Sequence, residues 1–245
     1  MMSYDSIRSF AERVTSELDK VDIAIMNAGV AFATYATSIY GWERTLQVNT
    51  ISTTLLALLL LPKLRASSST DHKSTLEFIS SGLHSLVKWT DEEKAAKQPL
   101  DLFNQKQTFS PNKQYASSKL FFMCALSHIA KLAEAPGTNE PEVYVTSVCP
   151  GLTQSNLARD ALRWWLMPLF WIAGFLFMRT AEQGARTYVS GATLEHRGHG
   201  QFWQHDKIKP YVRGYYIAAT CIDISQYCPI VEWRGGTTAV GKGVV

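Results

Sequence analysis

Residues 21–30 read VDIAIMNAGV, and the fold turns on them. Val21, Ile23 and Ile25 are apolar, Ala24 and Met26 on the alternate positions are apolar too, and Gly29 closes the run. A short strand apolar on both faces is what a parallel sheet covered by helices requires. Upstream, DSIRSFAERVTSELDK repeats Ile7, Phe10, Val14 and Leu18 at helical spacing and predicts an amphipathic helix. Downstream, GWERTLQVNTISTTLLALLLLPKLR predicts a long helix, almost wholly apolar in its second half and stopped near Pro62. STLEFISSG predicts a second strand, QYASSKLFFMCALSHIAKLAEA another helix, and EVYVTSVCPG a third strand. The stretch from Lys88 to about Asn112 is polar and reads as irregular. Strands alternating with helices predict an α/β fold with a doubly wound parallel sheet.

The chain has 245 residues, which suits one α/β domain. Net charge is +3 with no lysine or arginine run, so the sequence carries no electrostatic footprint for nucleic acid. The four cysteines, Cys124, Cys149, Cys221 and Cys228, have neither C-x-x-C nor metal-ligand spacing. His84 and His128 stand apart from other ligands, and His199 and His205 in GHGQFWQH have no supporting pattern, so no metal site is expected. RGHGQFW holds Gly198 and Gly200 but precedes no helix, and reads as a loop. The N-terminus has no apolar signal-peptide core, and a reducing compartment is expected.

In a doubly wound sheet, ligands sit beyond the carboxyl ends of the strands. The small and polar residues fall at those ends: Asn27-Ala28-Gly29, Ser80-Ser81-Gly82 and Pro150-Gly151. Tyr115 and Lys119 are four apart in a helix and share one face. An ammonium near a phenol favours phenolate, so the tyrosine pKa is expected to drop toward neutrality and suit it to proton transfer.

VDIAIMNAG, WERTLQVN, FISSG, YASSK and VCPGLTQSNL, in that order, resemble the short-chain dehydrogenase/reductases, and within them the retinol-dehydrogenase-like branch. MRTAEQGARTYVSGA and GQFWQHDKIKP extend the likeness, which runs from about Asp5 to Pro210. The resemblance implies a Rossmann-like domain over residues 1–210 and a nicotinamide cofactor, NADP(H) or else NAD(H). It makes Tyr115 the general acid and Lys119 the group that holds the nicotinamide ribose. Ser81, with Ser80 as the alternative, would hydrogen-bond the substrate oxygen, and Asn49 would support a proton-relay water. Asn27, Ala28 and Gly29 would line the cofactor together with Tyr115 and Lys119. Beyond Pro150 and Gly151, Thr153 and Ser155 would contact its nicotinamide half.

The likeness has gaps. The family opens with a strand and a T-G-x-x-x-G-x-G turn that brings backbone to the pyrophosphate, and nothing like it precedes Asn27. The domain is therefore expected to be N-terminally truncated, with DIAIM as an exposed apolar sheet edge. Residues 211–245 lose the likeness and read as a divergent tail without clean period. LRWWLMPLFWIAGFLFM, residues 162–178, sits where the family carries a mobile lid. Its tryptophans predict peripheral contact with a membrane surface, and its composition predicts an apolar substrate. The resemblance thus implies an oxidoreductase moving a hydride between NADP(H) and a carbonyl or alcohol of a lipid, terpenoid or polyketide, as in secondary metabolism. It would be a cytoplasmic homo-oligomer, peripheral to an intracellular membrane. The alternative is a catalytically inactive remnant that binds a partner through its lid and sheet edge.

Overall fold

The computed structural model describes residues 1–155, 157 and 178–209, and the backbone alone of 231–234 and 237–240. The expected lid lies outside the described residues apart from Met178, and the tail apart from those last two segments. The elements in order are α1 (Tyr4–Glu17), β1 (Ile23–Met26), α2 (Arg44–Ser67), β2 (Thr75–Ile79), α3 (Asp91–Ala95), α4 (Pro99–Phe103), α5 (Pro111–Leu132), β3 (Tyr144–Cys149), α6 (Ala181–Ala192), β4 (Gln201–Gln204), β5 (Lys207–Lys209), β6 (Val231–Arg234) and β7 (Thr237–Val240).

The sheet runs β1-β2-β3-β4-β5, and β6 and β7 form an antiparallel pair of their own. Strands β1 to β4 are parallel, and β5 returns antiparallel to β4. One expectation changes here. The α/β sheet is as expected, with an antiparallel return strand added at β5, and residues 201–209 form a hairpin that overlaps the stretch RGHGQFW read as a loop. Its turn residues, His205 and Asp206, have φ of 53° and 54°, so both central positions are left-handed, as a two-residue hairpin turn demands.

Helices α1, α2 and α5 cover one face. Leu61 and Leu64 of α2 and Phe122, Leu126 and Ile129 of α5 pack on Leu76, Phe78 and Val145 of the sheet, all at most 1% exposed. Each such side chain contributes about 1.5–3 kcal/mol by leaving water. This burial explains why α2 runs on to Ser67 with Pro62 inside it, where the sequence reading stopped it. Packing on both sides of Pro62 outweighs the hydrogen bond its missing N–H forfeits. Helix α2 is long and apolar enough to cross a membrane, yet it is a core element, 83% buried over its most apolar window. Its stretch Gln47–Ser52 is π-helical, a widened turn of a kind that clusters at functional sites.

The segment read as irregular holds α3 and α4. Trp89, Leu100 and Phe103 from it join Leu46, Leu120 and Phe121 in a second cluster. Among the described residues, α6 covers the sheet's other face, packing over β2 and β3. At β1 that face is open: Ile23 and Ile25 are 48% and 41% exposed, as are Phe10 at 44% and Leu18 at 48% beside them. β1 is thus the exposed apolar edge that the sequence predicts, whereas Lys207 and Lys209 flank the opposite edge with charge.

Candidate active site

The carboxyl ends of β1 to β4 open on one cleft of about 1060 Å³. Asn27, Gly29, Ser80, Ser81, Tyr115, Lys119, Pro150, Gly151, Thr153 and Ser155 all line it. Ala28 does not; it turns into the apolar groove along the open β1 edge. Asn49 stands behind the wall, 1% exposed, with its Oδ1 3.6 Å from where a Cβ on Gly29 would lie.

Helix α5 presents Tyr115 and Lys119 on one side, with Lys119 Nζ 6.0 Å from the Tyr115 ring centroid. The amine donates to the carbonyl oxygen of Ile79 at 2.8 Å. Burial, rather than a carboxylate partner, governs it, and pushes its pKa down to about 8. The phenol moves the other way from the sequence expectation. Burial pushes Tyr115 up to about 12; a hydrogen bond with the Ser81 side chain pulls against this, and the lysine is not among the causes. The correction has a simple origin: i, i+4 spacing fixes a shared face but not the dielectric around it.

The two serines at the end of β2 diverge. Ser80 Oγ donates to Met123 Sδ at 3.2 Å inside the fold. Ser81 caps the 3₁₀ turn Gly82–Ser85, accepting from Leu83 N at 3.3 Å, and lines the cleft with Tyr115. His84 in that turn is buried and bonds the Ser81 carbonyl through Nδ1 at 2.6 Å. Asn49, in the π-helical turn, grips the loop after β1: its Oδ1 accepts Val30 N–H and its Nδ2 donates to Val30 O, both at 2.8 Å. Its Nδ2 also donates to Ser118 Oγ at 3.0 Å. Asn49 therefore ties the β1 loop to α5.

On the far wall, Gly151 sits at φ 78°, a left-handed turn. Thr153 Oγ1 donates to Pro150 O at 3.2 Å, and Ser155 Oγ accepts from Leu157 N at 3.4 Å. Gly184 lets α6 close on Thr153: a Cβ there would lie 2.7 Å from Thr153 Cγ2.

Cys149, Tyr188, Gln204 and His205 are among the cleft residues that the sequence did not mark as part of a site. Cys149 Sγ accepts from Gly82 N at 3.3 Å and from Gly151 N and Gln204 Nε2 at 3.4 Å, knitting three strand ends together. The rule that strand ends bear the site would have found Gln204 and His205, had QFWQ been read as a strand.

A nicotinamide cofactor fits these residues. The buried amine of Lys119, the hydroxyls of Ser81 and Tyr115 and the polar residues around Gly151 converge on a cleft large enough for a nicotinamide ribose beside a small substrate. Leu83, Leu86 and Leu152, at 45%, 70% and 65% exposure, give the cleft an apolar rim.

The chain is 41% identical over 209 residues to a short-chain dehydrogenase/reductase, ffsI, of Aspergillus flavipes, matching 85% of this chain and 59% of that protein. It is 35% identical over 229 residues to a short chain dehydrogenase, opdN, of Penicillium oxalicum, matching 86% of this chain and 69% of that protein. The chain spans about three-fifths of the length of relatives such as the Aspergillus protein. Its fold is similar to that of ligand-free aldohexose dehydrogenase of Thermoplasma acidophilum, at TM-score 0.59 and 16% identity over 83% of this chain and 73% of that one. It is also similar to the Pseudomonas aeruginosa RhlG/NADP active-site complex, at TM-score 0.55 and 19% identity over 84% and 72%. No family model matches the chain.

Proposed function

The chain belongs to the short-chain dehydrogenase/reductase family, and from that footing we propose that it interconverts a carbonyl and an alcohol with a nicotinamide cofactor. The observation that supports the reading is that Ser81, Tyr115 and Lys119 line one cleft at the carboxyl ends of the strands. When bound, the cofactor supplies or removes the hydride. The chain's own residues manage the charge. A carbonyl oxygen placed between Ser81 and Tyr115 meets two hydroxyl donors, and the neutral phenol delivers the proton. Lys119, protonated below about pH 8, adds a positive charge to that end of the cleft. Asn49 keeps the β1 loop and α5 in register and stands where a relay water would connect to the amine.

The cofactor in this reading is NADP(H), in keeping with the NADP of the Pseudomonas complex, with NAD(H) as the alternative. The substrate is an apolar small molecule of the lipid, terpenoid or polyketide kind, supported by the apolar cleft rim. The same reading has the protein in the cytoplasm as a homo-oligomer, in peripheral contact with an intracellular membrane. A second reading, a non-catalytic binding protein, draws on the open apolar edge at β1, where Ile23 and Ile25 stand half exposed.

Titration of the purified chain with NADPH, followed by nicotinamide fluorescence, separates the two. A saturable signal supports the oxidoreductase; its absence favours the binding protein. With phenanthrenequinone as the carbonyl probe, Tyr115→Phe should abolish turnover while leaving NADPH affinity nearly intact. Retained turnover refutes the tyrosine's role.

A further inference from the structure

We infer that Glu43 and Gln114 form a positioning pair that sets the aim of Tyr115, an inference resting on the reading of Tyr115 as the proton donor. Both are out of water, at 0% and 1% exposure. Gln114 immediately precedes Tyr115 on α5, and successive helical residues point about 100° apart. One therefore turns inward while the next faces the cleft. Gln114 Nε2 donates to Glu43 Oε2 at 2.8 Å and to Phe103 O at 2.9 Å. Glu43 is anchored in turn. Its carboxyl caps α2, accepting from Thr45 N at 3.0 Å and Leu46 N at 3.1 Å, and its own N–H donates to Asn104 Oδ1 at 2.6 Å.

The pattern repeats one turn later. Ser118 immediately precedes Lys119, and it too is tied to α2: Thr50 Oγ1 donates to Ser118 O at 2.9 Å and Asn49 Nδ2 to Ser118 Oγ. Each cleft-facing residue of α5 is thus preceded by one fastened to α2. The two ties differ in what they can lose. The Ser118 tie has two strands, whereas the Gln114 amide is the one side-chain link from α5 to the cap of α2 among the described residues. Gln114 Oε1 has no partner of its own, so the residue's polar contacts run through its two donor hydrogens. Removing those hydrogens leaves Glu43 capping α2 and both helices intact. What goes is the fixed offset between them, and misplacement on the scale of 1 Å costs a proton-transfer site up to about 100-fold.

The test compares Gln114→Met, which keeps length and removes both donors, with Glu43→Gln and with the double variant, in NADPH reduction of phenanthrenequinone. Each single variant should lower kcat by about tenfold or more, with KM for NADPH and quinone within about twofold, and the double should be no worse than the poorer single. Unchanged kcat in folded variants, losses that multiply, or losses confined to KM overturn the pairing. A second readout needs no turnover. Carbon NMR of protein labelled at tyrosine Cζ, with the Tyr115 signal assigned by its loss in Tyr115→Phe, should show that signal displaced in Gln114→Met. An unmoved signal overturns the inference even if the enzyme is active. If wild type turns over nothing while the signal moves, the positioning stands and the oxidoreductase reading is what fails.

Discussion

Lys119 Nζ donates to the main-chain oxygen of Ile79 across 2.8 Å, so the amine is fastened to the end of β2 and not to the phenol four residues before it. The two groups share a cleft, but each is governed by its own desolvation. This separation has a pH signature. In the proposed reaction the amine is charged and the phenol neutral; burial brings the Lys119 pKa down to about 8 and Tyr115 up to about 12. The rate of carbonyl reduction should therefore fall through a single midpoint near pH 8, read from initial rates of NADPH oxidation. A rate level through pH 10 would contradict the assignment.

Ser81 and Ser80 should separate cleanly by mutation. Ser81 holds the phenol's pKa down against burial, whereas Ser80 Oγ donates to Met123 Sδ. Ser81→Ala should lower kcat about 100- to 1000-fold, the usual loss for one donor to a developing oxyanion. Ser80→Ala should change kcat less than about threefold and show in thermal stability instead. The reverse ranking would move the substrate oxygen to Ser80.

Glu77 sits in mid-strand with 0% exposure, and neither carboxyl oxygen has a hydrogen-bond partner. Burial pushes its pKa up to about 8 from 4.5. A carboxyl that holds its proton more tightly when folded contributes stability fully present below pH 4.5 and lost as pH rises to 8. Glu77→Met, similar in length and apolar, should accordingly raise the thermal midpoint at pH 8 and above. That gain should shrink toward zero below pH 4.5. An equal gain at both ends would mean that packing, not ionisation, is being measured.

Gly191 lies against the same carboxyl. A Cβ there would be 2.3 Å from Val148 Cγ2 and 2.8 Å from Glu77 Oε2. Gly191→Ala should lift α6 from β2 and β3, cost about 1–3 kcal/mol as overpacking and lower the thermal midpoint by several degrees. Because α6 lines the cleft through Gly184 and Tyr188, NADPH affinity should fall with it.

The sequence carried the parallel core because β1, β2 and β3 are short apolar runs that each end in small or polar residues, and those ends also mark the cleft. The helices α1, α2 and α5 were legible from their length and spacing. What was missed has physical causes. α3 and α4 are five residues each and held by Trp89, Leu100 and Phe103 from a polar background, so no period survives to read. β4 is four residues followed at once by a tight turn, and its cleft residues went unread with it. The drop expected in the Tyr115 pKa came from spacing alone. The burial that decides its sign is a product of tertiary packing, which spacing within one helix does not report.

The β4–β5 turn carries a conformational cost. His205 and Asp206 both occupy backbone territory where a side chain is strained by about 1 kcal/mol, and Asn-Gly would sit there more comfortably. A stabilised variant with that dipeptide is easy to design, but it would delete the imidazole at the lip of the cleft. Anyone engineering this protein for heat resistance would thus be trading robustness against whatever His205 touches when a guest molecule enters.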